Sequence, residues 1–148
     1  MSVIWSILVG VSPTSSLSEA RDLSRQLLRV AERARTDFTG LAAESGLTPV
    51  QARAVLWLEQ PSTMSGLAEH LACDASNITG LADRLTDAGL VERVTGADRR
   101  EKILQLTGRG TLLRTGLASR VARGSTVTAK LNPTERRQLA TLLDKLLA

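Results

Sequence analysis

Tyrosine is absent from this 148-residue chain, phenylalanine, histidine and cysteine occur once each, and aromatic residues make up only 2 %. One cysteine, Cys73, cannot form an internal disulfide, and with His70 as the single histidine there are too few ligands for a self-contained metal site. A glycine-rich phosphate loop is missing, and the only thiol and only imidazole lie three residues apart on one short segment, which supplies no nucleophile and base pair. The expectation is therefore a chain that is not an enzyme and carries no cofactor or metal. So few aromatics also leave little material for a stacking cage around a planar ligand. The opening M-S-V-I-W-S-I-L-V-G-V is apolar but too short to span a bilayer, and it lacks a basic leader and a small-residue cleavage pattern. It reads as an arm that packs on this protein or on a second copy, or as a gene start set too far upstream. A reducing, cytoplasmic location is expected.

What the chain does have is positive charge in one place. Lysine and arginine number 19 against 15 acidic residues, for a net charge of +4. From Arg84 to Arg123 there are nine basic and four acidic residues, so this window alone exceeds the net charge of the whole chain. Such a local field suits a polyanionic partner. Inside it lies V-T-G-A-D-R-R-E-K-I-L-Q-L-T, five charged residues in a row between a Thr-Gly turn and an alternating apolar run.

The spacing of apolar residues and breakers predicts a mainly helical order. Ser12-Pro13-Thr14-Ser15-Ser16 is rich in breakers and is expected to separate the arm from the remainder of the chain. Leu23, Leu27, Val30, Ala34, Phe38 and Leu41 step by three and four, predicting a long amphipathic helix from Ser18 to about Gly46, with Arg21, Arg25 and Arg29 on another face. Thr48-Pro49-Val50-Gln51 predicts a capped helix start, with Pro61 stopping the helix after about Glu59 and Trp57 filling core. Thr63 should cap a short helix through Leu71. Asp74 should cap the next, whose inward stripe is Ile78, Leu81, Leu85 and Ala88 and which ends at Gly89. Residues 90–94 and 102–106 should pair as a hairpin with a loop at 95–100, Thr107 should cap a helix to about Ala129, and Asn132-Pro133-Thr134-Glu135 should open the last one.

A helix-turn-helix followed at once by a charged hairpin is a winged-helix arrangement. Within it, L-T-P-V-Q at Leu47, L-A-E-H-L at Leu67, S-N-I-T-G-L-A-D-R-L at Ser76, G-L-V-E-R at Gly89, D-R-R at Asp98 and L-T-G-R-G at Leu106 stand in sequence. In these motifs the chain resembles the MarR family of bacterial transcription regulators from Ser18 onward, most specifically over Leu67 to Gly110. The resemblance implies a mainly α winged helix-turn-helix with N- and C-terminal dimerisation helices and one β-hairpin wing. Residues 1–17 would be the arm and linker, 18–46 the first dimerisation helix, 47–106 the DNA-binding lobe and 107–148 the C-terminal dimerisation helices. It implies a homodimer on a pseudo-palindromic DNA operator, acting as a repressor relieved by a small-molecule effector. The alternative is a winged-helix protein-interaction module without DNA binding. Dimerisation also has a physical argument, because the first and last helices carry more apolar surface than one small lobe can cover.

On the outward face of the helix opened by Asp74, Asn77 offers a donor and an acceptor suited to adenine, and Ser76 can reach a base or a phosphate. Gly80 permits close backbone approach, and Arg84 suits a phosphate or a guanine. For Ser76 and Asn77 the structural alternative is helix capping, a role already assigned to Asp74. For Arg84 it is an ion pair with Asp83 or Asp87. At the wing, the family pattern of aspartate, any residue, arginine falls on Asp98, Arg99 and Arg100, which implies Arg100 in the minor groove, Asp98 bracing the loop, and Arg99 and Lys102 on phosphates. Cys73, just before the cap, is read as packing against Ile78 rather than as a redox switch, and His70 as exposed and inert. The resemblance places an effector site among the helix from Ser18, the helix from Pro49 with Trp57, and the start of the helix after Thr107, with no effector residues assigned.

Overall fold

The computed structural model describes residues 13–96, 102–124 and 126–148. In chain order the elements are α1 (Pro13–Glu44), α2 (Pro49–Trp57), β1 (Ser62–Thr63), α3 (Met64–Leu71), α4 (Ala75–Asp87), β2 (Val91–Thr95), β3 (Lys102–Leu106), α5 (Gly108–Gly124) and α6 (Pro133–Leu147). The fold is the mainly helical winged helix-turn-helix expected from the sequence, and among the described residues no helix is long and apolar enough to cross a membrane.

Two of the expected helix starts are complete capping boxes. The Thr48 hydroxyl accepts from the Gln51 amide while the Gln51 side chain accepts from the Thr48 amide, and Asn132 and Glu135 repeat the exchange. Thr63 and Thr107 accept from the amides of Gly66 and Gly110. Asp74 differs: it has the extended backbone of a cap, but its side chain makes no capping hydrogen bond. Helix α1 begins at Pro13, not Ser18, because a proline in the first turn loses no intrahelical bond; residues 13–16 of the stretch expected as a separator are helical. Helix α5 ends at Gly124, short of Ala129.

The hairpin pairs Val91 with Leu106 and Thr95 with Lys102, one residue later on its first strand than expected. A third strand has no counterpart in the sequence reading: β1 pairs Ser62 with Leu104, so β3 is central in the order β1-β3-β2. Two residues are too few for alternation to mark a strand. Gly89, at φ +69°, turns the chain from α4 into β2, and the Leu90 amide donates back to the Leu85 carbonyl in the manner of a helix C-terminal motif.

Val55, Leu58, Leu67, Leu71, Ile78, Leu81, Leu85, Leu90, Val91 and Leu104 form the main core, which welds α2, α3 and α4 to the sheet. A second cluster, Ala42, Ala52 and Leu117 with Phe38, Leu41, Leu56 and Val121 against it, joins the last turns of α1 to α2 and α5. This cluster fills the space where α1, α2 and α5 meet. Trp57 belongs to neither. It is 44 % exposed and stacks on His70 with ring centroids 3.8 Å apart, because Leu58 takes the inward position at the end of α2. The expectation of Trp57 in the core is thus corrected, and His70, exposed as expected, is a stacking partner rather than idle. Cys73 is half-buried and packs against the main core, with its thiol donating to the Leu71 carbonyl at 3.4 Å.

Candidate nucleic-acid interface

Helix α4 is positioned by its inner stripe. Ile78, Leu81, Ala82 and Leu85 are each at most 2 % exposed, which leaves the opposite side of the same cylinder facing solvent, whereas Ala88, expected on the inward stripe, is the helix cap and is exposed. On that side Ser76, Asn77, Asp83, Arg84 and Asp87 are exposed and Gly80 is half-buried. Neither Ser76 nor Asn77 makes a side-chain hydrogen bond with another described residue, so neither is spent on capping. This holds although Asp74 forms no capping bond in their place; the amides of the first turn are open as well. At Gly80 an added methyl would meet only the Arg84 guanidinium at 3.9 Å, so the helix surface there is flat and accessible.

The ion-pair alternative for Arg84 is not realised. Asp83 instead pairs with Arg93 on β2 at 2.6 Å, with side chains 52 % and 34 % exposed. An exposed pair of this kind contributes at most about 1 kcal/mol. What it does is hold a cation of the hairpin's first strand beside the helix. Arg93 and Lys102, the exposed first residue of β3, lie on the rim of a cleft of about 470 Å³ together with Ser65 and Thr79, over a floor that includes Met64 and Ile78. One side of the lobe therefore gathers uncommitted polar groups on α4 and two cations on the hairpin, Arg93 in mid-strand and Lys102 at the loop end.

Sequence reasoning missed Thr79, Ser65 and Arg93. Thr79 is exposed one turn after Ser76, a step of three that helical periodicity could have supplied; its hydroxyl donates to the Ala75 carbonyl at 3.1 Å. Arg93 was legible as basic, but its partner Asp83 is ten residues away on another element. Of the expected wing residues, Asp98, Arg99 and Arg100 lie outside the described residues.

In the expected effector region, the second core cluster packs the last turns of α1 against α2 and α5, and Trp57 faces His70. Beside that cluster a cavity of about 560 Å³ is lined by the α1–α2 connection, Gln51 of α2, the end of α4 and the start of α5.

In comparisons with known proteins, a model of the MarR family matches residues 45–101. The fold is similar to that of a MarR variant from E. coli solved with operator DNA, at a TM-score of 0.71 and 24 % identity over 88 % of this chain and 96 % of that one. It is similar to a MarR-family transcriptional regulator from Rhodococcus sp. RHA1, at a TM-score of 0.71 and 28 % identity over 86 % and 93 %. It is similar also to BpsR from Bordetella bronchiseptica, whose DNA binding is regulated by 6-hydroxynicotinic acid, at a TM-score of 0.66 and 25 % identity over 86 % and 99 %. No curated protein matches the sequence.

Proposed function

The chain is a MarR-family winged-helix protein, and from that premise we propose that it is a cytoplasmic, non-enzymatic transcription regulator that binds a pseudo-palindromic DNA operator as a homodimer and represses. The observation that carries the reading is the outer face of α4, where Ser76 and Asn77 keep their hydrogen-bonding capacity unspent beside Gly80 and an Arg84 that has no carboxylate partner among the described residues. A helix so furnished fits the major groove, where base edges present distinguishable donors and acceptors. Arg93 and Lys102 on the hairpin strands and Arg99 at the wing supply phosphate contacts, and Arg100, with Asp98 bracing the loop, supplies the minor-groove contact.

The homodimer reading is supported by uncovered apolar surface. Leu17, Leu23, Leu27, Leu28 and Val30 on α1, and Leu142, Leu143, Leu146 and Leu147 on α6, are between 39 % and 86 % exposed. Helix α6 has no buried residue at all. Two copies that cover these faces would set their α4 helices about 10 base pairs apart on one side of the duplex. A small-molecule effector would relieve repression by changing the relation of the two lobes.

Selection from random duplexes at low salt, followed by titration of the selected sequence, tests the reading. Asn77→Ala is expected to cost about 1–3 kcal/mol and to relax preference at one base pair. Arg100→Ala is expected to reduce the slope of log affinity against log salt by about 1. A chain that retains no duplex even in dilute buffer is a protein-interaction module instead.

A further inference from the structure

We propose that Arg114 and Arg120 of α5 are positioning residues for operator recognition. One fastens the DNA-binding lobe to α5 and the other fastens α1, and together they fix the separation at which a homodimer presents its two α4 helices. The consequence for the operator rests on the DNA-binding reading above; the fastening itself does not.

Three arginines of α5 each reach the C-terminal end of a different helix. Arg109, which has no carboxylate partner among the described residues, donates to the carbonyl of Ala88, the cap of α4, at 3.2 Å. Arg114 Nε donates to the Leu56 carbonyl in the last turn of α2 at 3.2 Å, and its Nη2 pairs with Glu59 just beyond at 2.6 Å. Arg120 Nη2 donates to the Ser45 hydroxyl at 2.9 Å, with Nη1 3.7 Å from Glu44, the last residue of α1. Helix C-termini carry unpaired carbonyls and the negative end of the dipole, so a forked cation suits each of them. Arg109 and Arg114 thus grip the lobe, whereas Arg120 grips the helix whose leucines are left uncovered.

Apolar packing alone would leave this joint free to turn. Leu117, between the two arginines on α5, is buried against Ala42 of α1 and Ala52 of α2. Two alanines against one leucine make a smooth contact, and apolar attraction has no preferred direction. Hydrogen bonds do have one. Arg114, with its side chain only 20 % exposed, supplies that direction on the lobe side, and Arg120 supplies it on the side of α1. One base pair added between two half-sites moves the second by about 3.4 Å along the duplex and turns it by about 35°. A fastened dimer cannot follow that displacement, and one with a freed joint can.

The test takes the duplex selected as above and a second one lengthened by one base pair between its half-sites, and titrates both across salt with the full chain and its variants. The parent is expected to lose about tenfold or more on the lengthened duplex. Arg114→Gln and Arg120→Gln are expected to bind the original duplex more weakly, to lose less than about threefold on lengthening, and to keep the parent's slope of log affinity against log salt. Arg114→Lys should restore part of the spacing preference, and Glu59→Gln, which alters only an exposed partner and so leaves folding intact, should fall between parent and Arg114→Gln. A second readout needs no DNA. Nitroxides on Glu69→Cys of α3, in a Cys73→Ala background, report the distance between the two lobes of a dimer by electron double resonance, expected narrow in the parent and broad in Arg114→Gln and Arg120→Gln. An equal spacing penalty in parent and variants, a flattened salt slope, or distances as narrow as the parent's overturns the proposal. Broadened distances in a chain that binds no duplex support the fastening and refute the DNA reading instead.

Discussion

Gly110→Ala puts a methyl group where the structure has no room for one. Gly110 lies in the first turn of α5, against the connection from α4 into β2. A β-carbon built there overlaps the Leu90 carbonyl oxygen and comes within 3.0 Å of the Leu90 carbonyl carbon and 3.2 Å of Leu106 Cδ2. Backbone cannot swing aside as a side-chain tip can, so the start of α5 must move. That same Leu90 oxygen accepts the Thr107 amide at 3.0 Å, and Thr107 in turn caps α5 through the Gly110 amide. Overpacking costs about 1–3 kcal/mol and the strained hydrogen bond about 1 more, while alanine returns about 1 through helix propensity. With a backbone carbonyl as the obstacle, the expected net loss is at the upper end, about 2–3 kcal/mol. Gly116, two turns later in α5, is the internal control: it is exposed, and a β-carbon there meets nothing within 4 Å. Gly116→Ala should therefore stabilise by about 0.5–1 kcal/mol. The same substitution in the same helix is thus expected to act with opposite signs. Urea unfolding of both variants and the parent, at one chain concentration so that association affects all three equally, reads the difference. If Gly110→Ala unfolds at or above the parent's midpoint while Gly116→Ala rises, the close approach of α5 to Leu90 is not present in solution.

The remaining predictions concern the DNA face and the subunit interface. Arg93→Ala should change stability by less than about 1 kcal/mol, since its pair with Asp83 is exposed, yet lower duplex affinity and flatten its salt dependence by about one phosphate contact; an unaltered salt slope would leave Arg93 as a surface ion pair only. Leu143→Asp combined with Leu146→Asp on α6 should convert a dimer to a single chain by light scattering while far-UV circular dichroism retains most of the helical signal. A dimer mass that persists in that variant places the interface elsewhere.

Much of the site was readable because its determinants are local. The Thr48 and Asn132 caps depend on residues three positions away, and the inner stripe of α4 is a repeat of three and four. The same locality put Ser76, Asn77, Gly80 and Arg84 on one face. Where partners are far apart in sequence, local reading failed. Adjacency in the chain suggests Asp83 as a partner for Arg84, but it pairs with Arg93 ten residues on. Size and apolarity assign Trp57 to the core, but Leu58, the next position, points inward. Asp74 has the residue type and backbone of a cap, yet its side chain leaves the first-turn amides unbonded.

By itself, the order of residues determined the helix starts other than that of α1, the amphipathic stripes, the hairpin and the concentration of positive charge from Arg84 to Arg123. Each depends on bonds or periodicities that close within a few residues, so no knowledge of the chain's path is needed. Tertiary structure alone decided that β1 joins the sheet beside β3, that the junction of α1, α2 and α5 is solid core, and that Arg109 stands unneutralised beside the end of α4. Those outcomes depend on which distant surfaces meet, and that is settled by the packing of whole elements rather than by the preference of any one segment.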